Sequence, residues 1–295
     1  MYKRIVNLLL KINFKKSAKY YDNQIDLDFL RLDKEDILRT AVLDKIPSKK
    51  HRIGGKTSYA EWAHVIGIFQ TFLYMHLEKK EGNRILDIGC GTGLLAMACE
   101  NYVRNDGQYL GIDVARANID FCLNNYDSPF LNFEYFDVYN AMYSNNTSEN
   151  RRCWEIDDES MDMVTALSVW THLNEKDAIF YFKEIYRVLK PGGIALITFF
   201  YLDESYFRTL DSRKNEKGRF HNTNQMIWVF DKNAYDSNDW FYPSHFKIPE
   251  NAIGISETGL QKLIETSGLQ LKNYYPGNWK EIPGPYFQDV LVFQK

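Results

Sequence analysis

Apolar and aromatic residues recur at helical spacing through positions 59–77 (Trp62, Ile66, Phe69, Leu73, Leu77), and Glu81-Gly82-Asn83 breaks the pattern. Beyond that break the chain alternates between short β runs and amphipathic stretches. Strands are predicted at 84–88, 108–113, 131–138, 161–167 and 194–201, the last introduced by the turn Lys190-Pro191-Gly192-Gly193. Helices are predicted at 94–102, 117–125 and 175–189. Strict alternation of this kind implies an α/β fold with a mostly parallel, doubly wound sheet covered on both faces. A further helix is predicted at 257–267. Two closing β runs, 269–275 and 288–293, joined by a Pro/Gly-rich connection, read as an antiparallel hairpin on the sheet edge.

Two segments fall outside the alternation: a polar loop at 144–159, and residues 202–256, too long for an ordinary loop. The second is rich in large aromatics (Phe220, Trp228, Phe230, Tyr235, Trp240, Phe241, Tyr242, Phe246), which suits a lid or small subdomain above the C-terminal ends of the strands. The chain therefore divides into an N-terminal helical extension (1–58), an α/β core (59–201), the insert (202–256) and a closing helix and hairpin (257–295).

At 295 residues the chain can bury a full-sized core, and 36 basic against 39 acidic residues leave a net charge of −3. No field of that size attracts a polyanion, so nucleic acid is excluded as a partner and a small or neutral ligand is expected. Cys90, Cys99, Cys122 and Cys153 form no C-x-x-C pair, resemble neither a zinc site nor a disulfide framework, and suit a reducing cytoplasm. The first twenty residues combine six cations with an apolar set (Ile5, Val6, Leu8, Leu9, Leu10, Ile12, Phe14) too short to span a bilayer and lacking a cleavage site. Such a basic amphipathic helix either lies on an anionic membrane surface or packs on the domain or a second subunit.

The chemistry concentrates at Asp87-Ile88-Gly89-Cys90-Gly91-Thr92-Gly93, where an apolar strand runs into a glycine-rich turn that opens a helix. Bare backbone there lets a ligand approach closely. A dinucleotide fingerprint is G-x-G-x-x-G, whereas here the spacing is G-x-G-x-G and Leu94 takes the third glycine's place. Asp87 directs a carboxylate toward the site, which repels a pyrophosphate and attracts the ammonium of an amino-acid-bearing cofactor.

With these residues the chain resembles the class I S-adenosylmethionine (SAM)-dependent methyltransferases, whose signature hhD-h-G-x-G-x-G it matches over 85–93. The resemblance runs from about residue 59 to the end, least closely in the insert, and implies a seven-stranded Rossmann-like sheet. It further implies that Asp87 and Gly89, Cys90, Gly91 and Gly93 hold the methionine end of SAM. Asp113, with Val114, would hold the ribose hydroxyls, and Asp137 and Val138 the adenine. The product would be S-adenosylhomocysteine. A carboxylate can accept from both ribose hydroxyls, and strand-end aspartates otherwise commonly cap helices or form turns. Ser168 falls where the family contacts the methionine part. Tyr59 and Trp62 are placed to close over that end, although aromatics at helical spacing also serve as core.

Methyl transfer is an in-line displacement, and an alcohol acceptor must also lose its proton. His172, directly after the fourth strand, is the candidate base, in the place where similar O-methyltransferases carry a histidine; His221 and His245 are the alternates. No H/D/E cluster suggests a metal. The segment Ala166-Leu167-Ser168-Val169 is unlike the Asn/Asp-Pro-Pro-aromatic segment of base and amide N-methylating enzymes, which favours O-methylation. Stacking aromatics suit a sugar or another small acceptor. The closing residues 275–279 and 287–290 resemble endings of methyltransferases of polysaccharide biosynthesis. Competing readings are a SAM- or partner-binding protein without turnover and an NAD-dependent oxidoreductase.

Overall fold

The computed structural model describes residues 45–139 and 151–295. The basic N-terminal segment and part of the 144–159 loop lie outside these residues. Ser58 starts helix α1 (Tyr59–His76) through a capping box, its side chain accepting the Glu61 N–H while Glu61 accepts the Ser58 N–H. The face of α1 carrying Trp62, Ile66, Phe69 and Leu73 is buried and packs against α2 (Leu94–Cys99), which is buried on every side. The predicted 94–102 helix is thus a short α-helix continued by a 3₁₀ turn (Glu100–Tyr102).

Strands β1 (Arg84–Ile88), β2 (Gln108–Asp113), β3 (Leu131–Tyr135), β4 (Met161–Ala166) and β5 (Leu189–Leu202) pair in parallel in the order β3-β2-β1-β4-β5. Helix α3 (Arg116–Asn125) joins β2 to β3 and α4 (Glu175–Val188) joins β4 to β5. Along β1 the two-residue alternation sends Ile85 into the core beneath α1–α3 and Leu86 and Ile88 into a second core beneath α4 and α6 (Glu257–Ser267). Strand order reverses between β1 and β4. In open α/β sheets the carboxyl ends of the strands flanking such a reversal form the ligand crevice.

Strand β3 stops at Tyr135, three residues before the predicted end, because Val138 N–H turns back onto the Phe136 carbonyl (3.0 Å) and takes the chain off the ladder. The closing pair is β9 (Gln270–Tyr275) and β10 (Asp289–Gln294). The apolar β10 runs antiparallel between β5 and β9, leaving the polar β9 as the edge. Residues 203–256 hold α5 (Glu204–Leu210) and strands β6 (Lys232–Asn233), β7 (Trp240–Tyr242) and β8 (Gly254–Ser256). β8 pairs with the far end of β5, at Phe200–Leu202, so the aromatic segment lengthens the same sheet. Its Phe230 and Tyr206 form a third core with Phe200 and Leu202 of β5 and Trp279 of the closing connection.

A buried ionic cluster ties the insert to the closing hairpin. Lys280 is 0% exposed, and its ammonium lies 2.9 Å from both Asp203 and Asp289 while donating to the Tyr274 hydroxyl at 2.6 Å. Asp289 also accepts from the Trp279 indole (2.9 Å) and from the backbone N–H groups of Tyr201 and Gly277 (both 2.8 Å). Breaking such a cluster leaves buried charge uncompensated. Lys280→Met is therefore expected to lower stability by about 3–5 kcal/mol, measured as the urea-unfolding free energy.

Candidate cofactor and acceptor site

The turn after β1 is clamped to the end of β2: the N–H groups of Gly89 and Cys90 both donate to the Ile112 carbonyl, at 2.8 and 3.0 Å. Gly89, Gly91 and Gly93 all have positive φ (67°, 55° and 87°). A Cβ on Gly89 would lie 2.6 Å from Val169 Cγ2, and one on Gly91 would lie 2.8 Å from Ile53 Cδ1. One on Gly93 would strike the Tyr126 ring. Gly89 and Gly91 line the main cavity; Gly93 does not, and its bareness serves the packing of Tyr126 over the start of α2. The resemblance implies that all three glycines face the ligand; Gly93 instead faces Tyr126.

Asp87 lines the cavity, as expected, and is also held from below. Its carboxylate is buried beneath the turn, accepting from Tyr109 Oη at 2.6 Å and Thr165 Oγ1 at 2.8 Å. Both oxygens are engaged by neighbouring strands, so Asp87 acts first as the post under the loop. Burial pushes its carboxyl up to about 7, against the opposing pull of the two hydroxyls. Tyr109 and Thr165, the partners that make this burial tolerable, carry no sequence signal.

Asp113 accepts the Gly91 N–H (2.8 Å) on one oxygen and the Ala115 N–H (2.7 Å) on the other, and Asn118 adds a side-chain bond. The turn-forming role of a strand-end aspartate is thus present, and the same carboxylate lines the cavity between Ile112 and Val114. Burial raises its pKa while those three donors oppose the rise. Phe136 and Val138 line the cavity beyond it; Asp137 does not, and its exposed carboxylate accepts from the Tyr135 hydroxyl at 2.9 Å. Alternation along an extended chain turns Asp137 away from the face that Phe136 and Val138 present.

At the end of β4, Ser168 adopts φ 63°, a position where backbone strain marks a built site. Its N–H donates to Thr198 Oγ1 and its hydroxyl accepts from Gln288 Nε2, both at 2.7 Å. Gln288 in turn accepts from Thr198 at 2.8 Å, closing a ring of three residues that brings the start of β10 to the cavity wall. His172 follows in a 3₁₀ turn (Trp170–His172) and lines the cavity, with Nδ1 2.6 Å from the Glu250 carbonyl. Since a carbonyl only accepts, Nδ1 carries the proton and Nε2 the lone pair. Burial lowers the His172 pKa, partly offset by this bond, so the ring is neutral at pH 7.

Trp62 lines the cavity, its indole donating to the Lys56 carbonyl at 3.2 Å; Tyr59 instead lies in the core against Arg52. Capping by Ser58 fixes the helix phase and turns Tyr59 inward. His221 lines the cavity, whereas His245 packs on Phe246 away from it. Among the described residues no group of three His, Cys, Asp or Glu is placed to hold a metal, and no helix is long and apolar enough to cross a membrane.

The cavity measures about 1630 Å³, larger than one ligand needs. Its glycine cradle, the Asp113 carboxylate and the apolar strip Ile112–Val114–Phe136–Val138 fit a nucleoside bearing an amino-acid tail. A family model described as "Methyltransferase domain" matches residues 85–193, and one described as "Protein-L-isoaspartate(D-aspartate) O-methyltransferase (PCMT)" matches 35–124. The chain is 32% identical over 120 residues to a ubiquinone biosynthesis O-methyltransferase of Rhodopseudomonas palustris (strain BisB5), a match covering 39% of this chain and 39% of that protein. It is 32% identical over 116 residues to the protein of the same name from Maricaulis maris (strain MCS10), covering 39% and 40%. The matched stretch thus spans well under half the length of these curated relatives. The PH0226 protein of Pyrococcus horikoshii OT3 shares the fold, with TM-score 0.52 and 17% identity over 79% of this chain and 91% of that one.

Fold and comparisons agree on a Rossmann-like α/β sheet whose residues 85–193 match a methyltransferase-domain model. Over residues 85–193 the chain is thus similar to methyltransferase domains, in line with the resemblance to class I SAM-dependent methyltransferases carried by the glycine turn, and SAM is the cofactor that resemblance implies.

The Asp87 carboxyl has an ordinary value of 3.8 and titrates near 7 in the folded chain. The folded state then holds an extra proton between those values, so stability falls as pH rises from about 4 to about 7 and levels above. Asp87→Asn should remove this slope, seen by comparing urea midpoints of the two proteins across pH 4–8; parallel curves would show that the carboxyl titrates normally.

Proposed function

We propose that this chain is a SAM-dependent O-methyltransferase that places a methyl group on a hydroxyl of a small molecule, with His172 as the base. The observation that supports it most is a neutral imidazole in the same cavity as the glycine cradle, with its proton fixed on Nδ1 by the Glu250 carbonyl and its lone pair on Nε2. SAM supplies an electrophilic methyl on a sulfonium, which leaves as a neutral thioether. The turn at Gly89–Gly91, with Ser168, is assigned to its methionine part, Asp113 to the ribose hydroxyls, and Phe136 and Val138 to the adenine faces. Nε2 of His172 takes the acceptor's proton as its oxygen bonds to carbon.

The names of the R. palustris and M. maris relatives support a hydroxyl acceptor. A glycan hydroxyl, in surface-polysaccharide or natural-product synthesis, is the finer form of this proposal, supported by the rings of Phe220, Trp228 and Phe287 on the cavity wall. An oxidoreductase reading is disfavoured by Leu94, a buried side chain where a dinucleotide fingerprint needs glycine.

Calorimetric titration with SAM, S-adenosylhomocysteine and NAD tests the cofactor. The first two should bind, and Asp113→Ala should weaken both by at least about tenfold, the loss of a charge-assisted pair; binding of NAD alone would reverse the assignment. His172→Ala should retain SAM affinity and lower kcat on the order of 100- to 10,000-fold. Unchanged turnover in that variant would remove His172 from the chemistry, and SAM binding without turnover by the parent chain would favour a binding protein.

A further inference from the structure

The cavity has a second polar wall, built by the insert and the closing connection. His221 and Glu281, with side chains 4% and 5% exposed, meet with Nε2 2.7 Å from Oε1. The other Glu281 oxygen accepts the Arg219 N–H at 3.0 Å, and the Arg219 guanidinium donates to the Glu281 carbonyl at 2.6 Å. On the far side of the ring, Nδ1 lies 2.9 Å from the Thr223 hydroxyl, which itself receives the Trp228 indole N–H at 2.7 Å.

The direction of this string follows from counting protons. The Glu281 carboxylate beside Nε2 only accepts and the Thr223 backbone N–H points at Nδ1 (3.4 Å), so the neutral ring holds its proton on Nε2, and the Thr223 hydroxyl, which accepts from the Trp228 indole, gives its hydrogen to Nδ1. Nδ1 therefore carries the lone pair and Nε2–H faces the carboxylate. Burial keeps the ring neutral, lowering its pKa against the pull of Glu281, with the buried Arg213 adding to the fall; Glu281, Arg213 and Arg219 are the charged groups around it. The backbone is shaped around the pair: Glu281 sits at φ 62°, and a Cβ on Gly218 would collide with the His221 ring and meet Glu281 Oε1 at 2.6 Å.

The string ends at the exposed Thr223, which lines the cavity beside Trp228 and Phe287. Phe287 packs on both the Trp228 and His221 rings, and its neighbour Gln288 donates to Ser168. The second polar wall is thus continuous with the wall assigned to the methyl donor. With its hydrogen committed to His221 and one lone pair to Trp228, Thr223 Oγ1 presents its remaining lone pair as an acceptor.

We propose that Thr223 is a specificity-determining residue, its oxygen accepting a hydrogen bond from a second hydroxyl of a ring-shaped acceptor seated against Trp228 and Phe287. His221 and Glu281 are positioning residues that hold Thr223 in the accepting orientation. The proposal rests on the O-methyltransferase reading, in which the reacting hydroxyl meets His172 on the other wall. It selects rings with hydroxyls on opposite edges over rings with one.

Hydroquinone and phenol are the probes, each assayed for methyl transfer from saturating SAM. The chain should prefer hydroquinone in kcat/KM by about tenfold, the value of one neutral hydrogen bond. Thr223→Val should bring that ratio to about one, mainly through KM. Glu281→Gln should lower the ratio partially, because the amide still meets the imidazole. Thr223 is exposed, so its isosteric replacement tests recognition without unfolding the insert. No preference in the parent chain, an equal loss on both probes in Thr223→Val, or SAM binding with neither ring methylated would each overturn the proposal. Failure to bind SAM would instead remove the underlying reading.

Discussion

The structure depends on how the turn after β1 is clamped to the end of β2. Two N–H groups of the turn share the Ile112 carbonyl, and a third, from Gly91, is taken by Asp113. These bonds keep three consecutive peptide groups in left-handed or turn conformations that a chain without side chains tolerates most readily. They also open the start of α2 at the point where strand order reverses. Beneath the turn, Asp87 is a buried carboxylate stabilised by two hydroxyls from β2 and β4. The loop that meets the ligand is therefore fixed from both neighbouring strands, and the crevice is preformed rather than assembled on binding.

A second constraint operates at the opposite wall. β5 runs past the ends of β4 and β10, and its last residues take β8 as a new neighbour. This continues the insert as sheet instead of leaving it tethered by loops. The Lys280 cluster then joins Asp203, at the start of the insert, to Asp289 on β10. Trp279 stacks its edge on Phe200, so apolar packing and ion pairing hold the same corner. The residues that line the second wall, His221, Thr223, Trp228 and Phe287, are carried on this corner. Their precision comes from a rigid base, which is the usual requirement for a specific polar contact in a cavity.

Sequence by itself determined the layered α/β architecture, because the two-residue and 3.6-residue periods are local properties of the chain and each element's apolar face must be buried. It also located the glycine turn, Asp113, Val138, Ser168 and His172 on the cavity, since strand ends in such a sheet converge on one crevice. What it could not determine was the direction of individual side chains there. Asp87 lines the cavity but is also tied to Tyr109 and Thr165, Asp137 turns outward, Gly93 accommodates Tyr126 and Tyr59 joins the core, all decided by partners distant in sequence or by one residue of helix phase. The Thr198–Gln288–Ser168 ring and the Thr223–His221–Glu281 string were equally invisible, joining residues up to 120 positions apart. Periodicity places an element in a layer, but only the packed chain decides which hydrogen-bond donors reach a buried acceptor, and that decides what each polar residue of the site does.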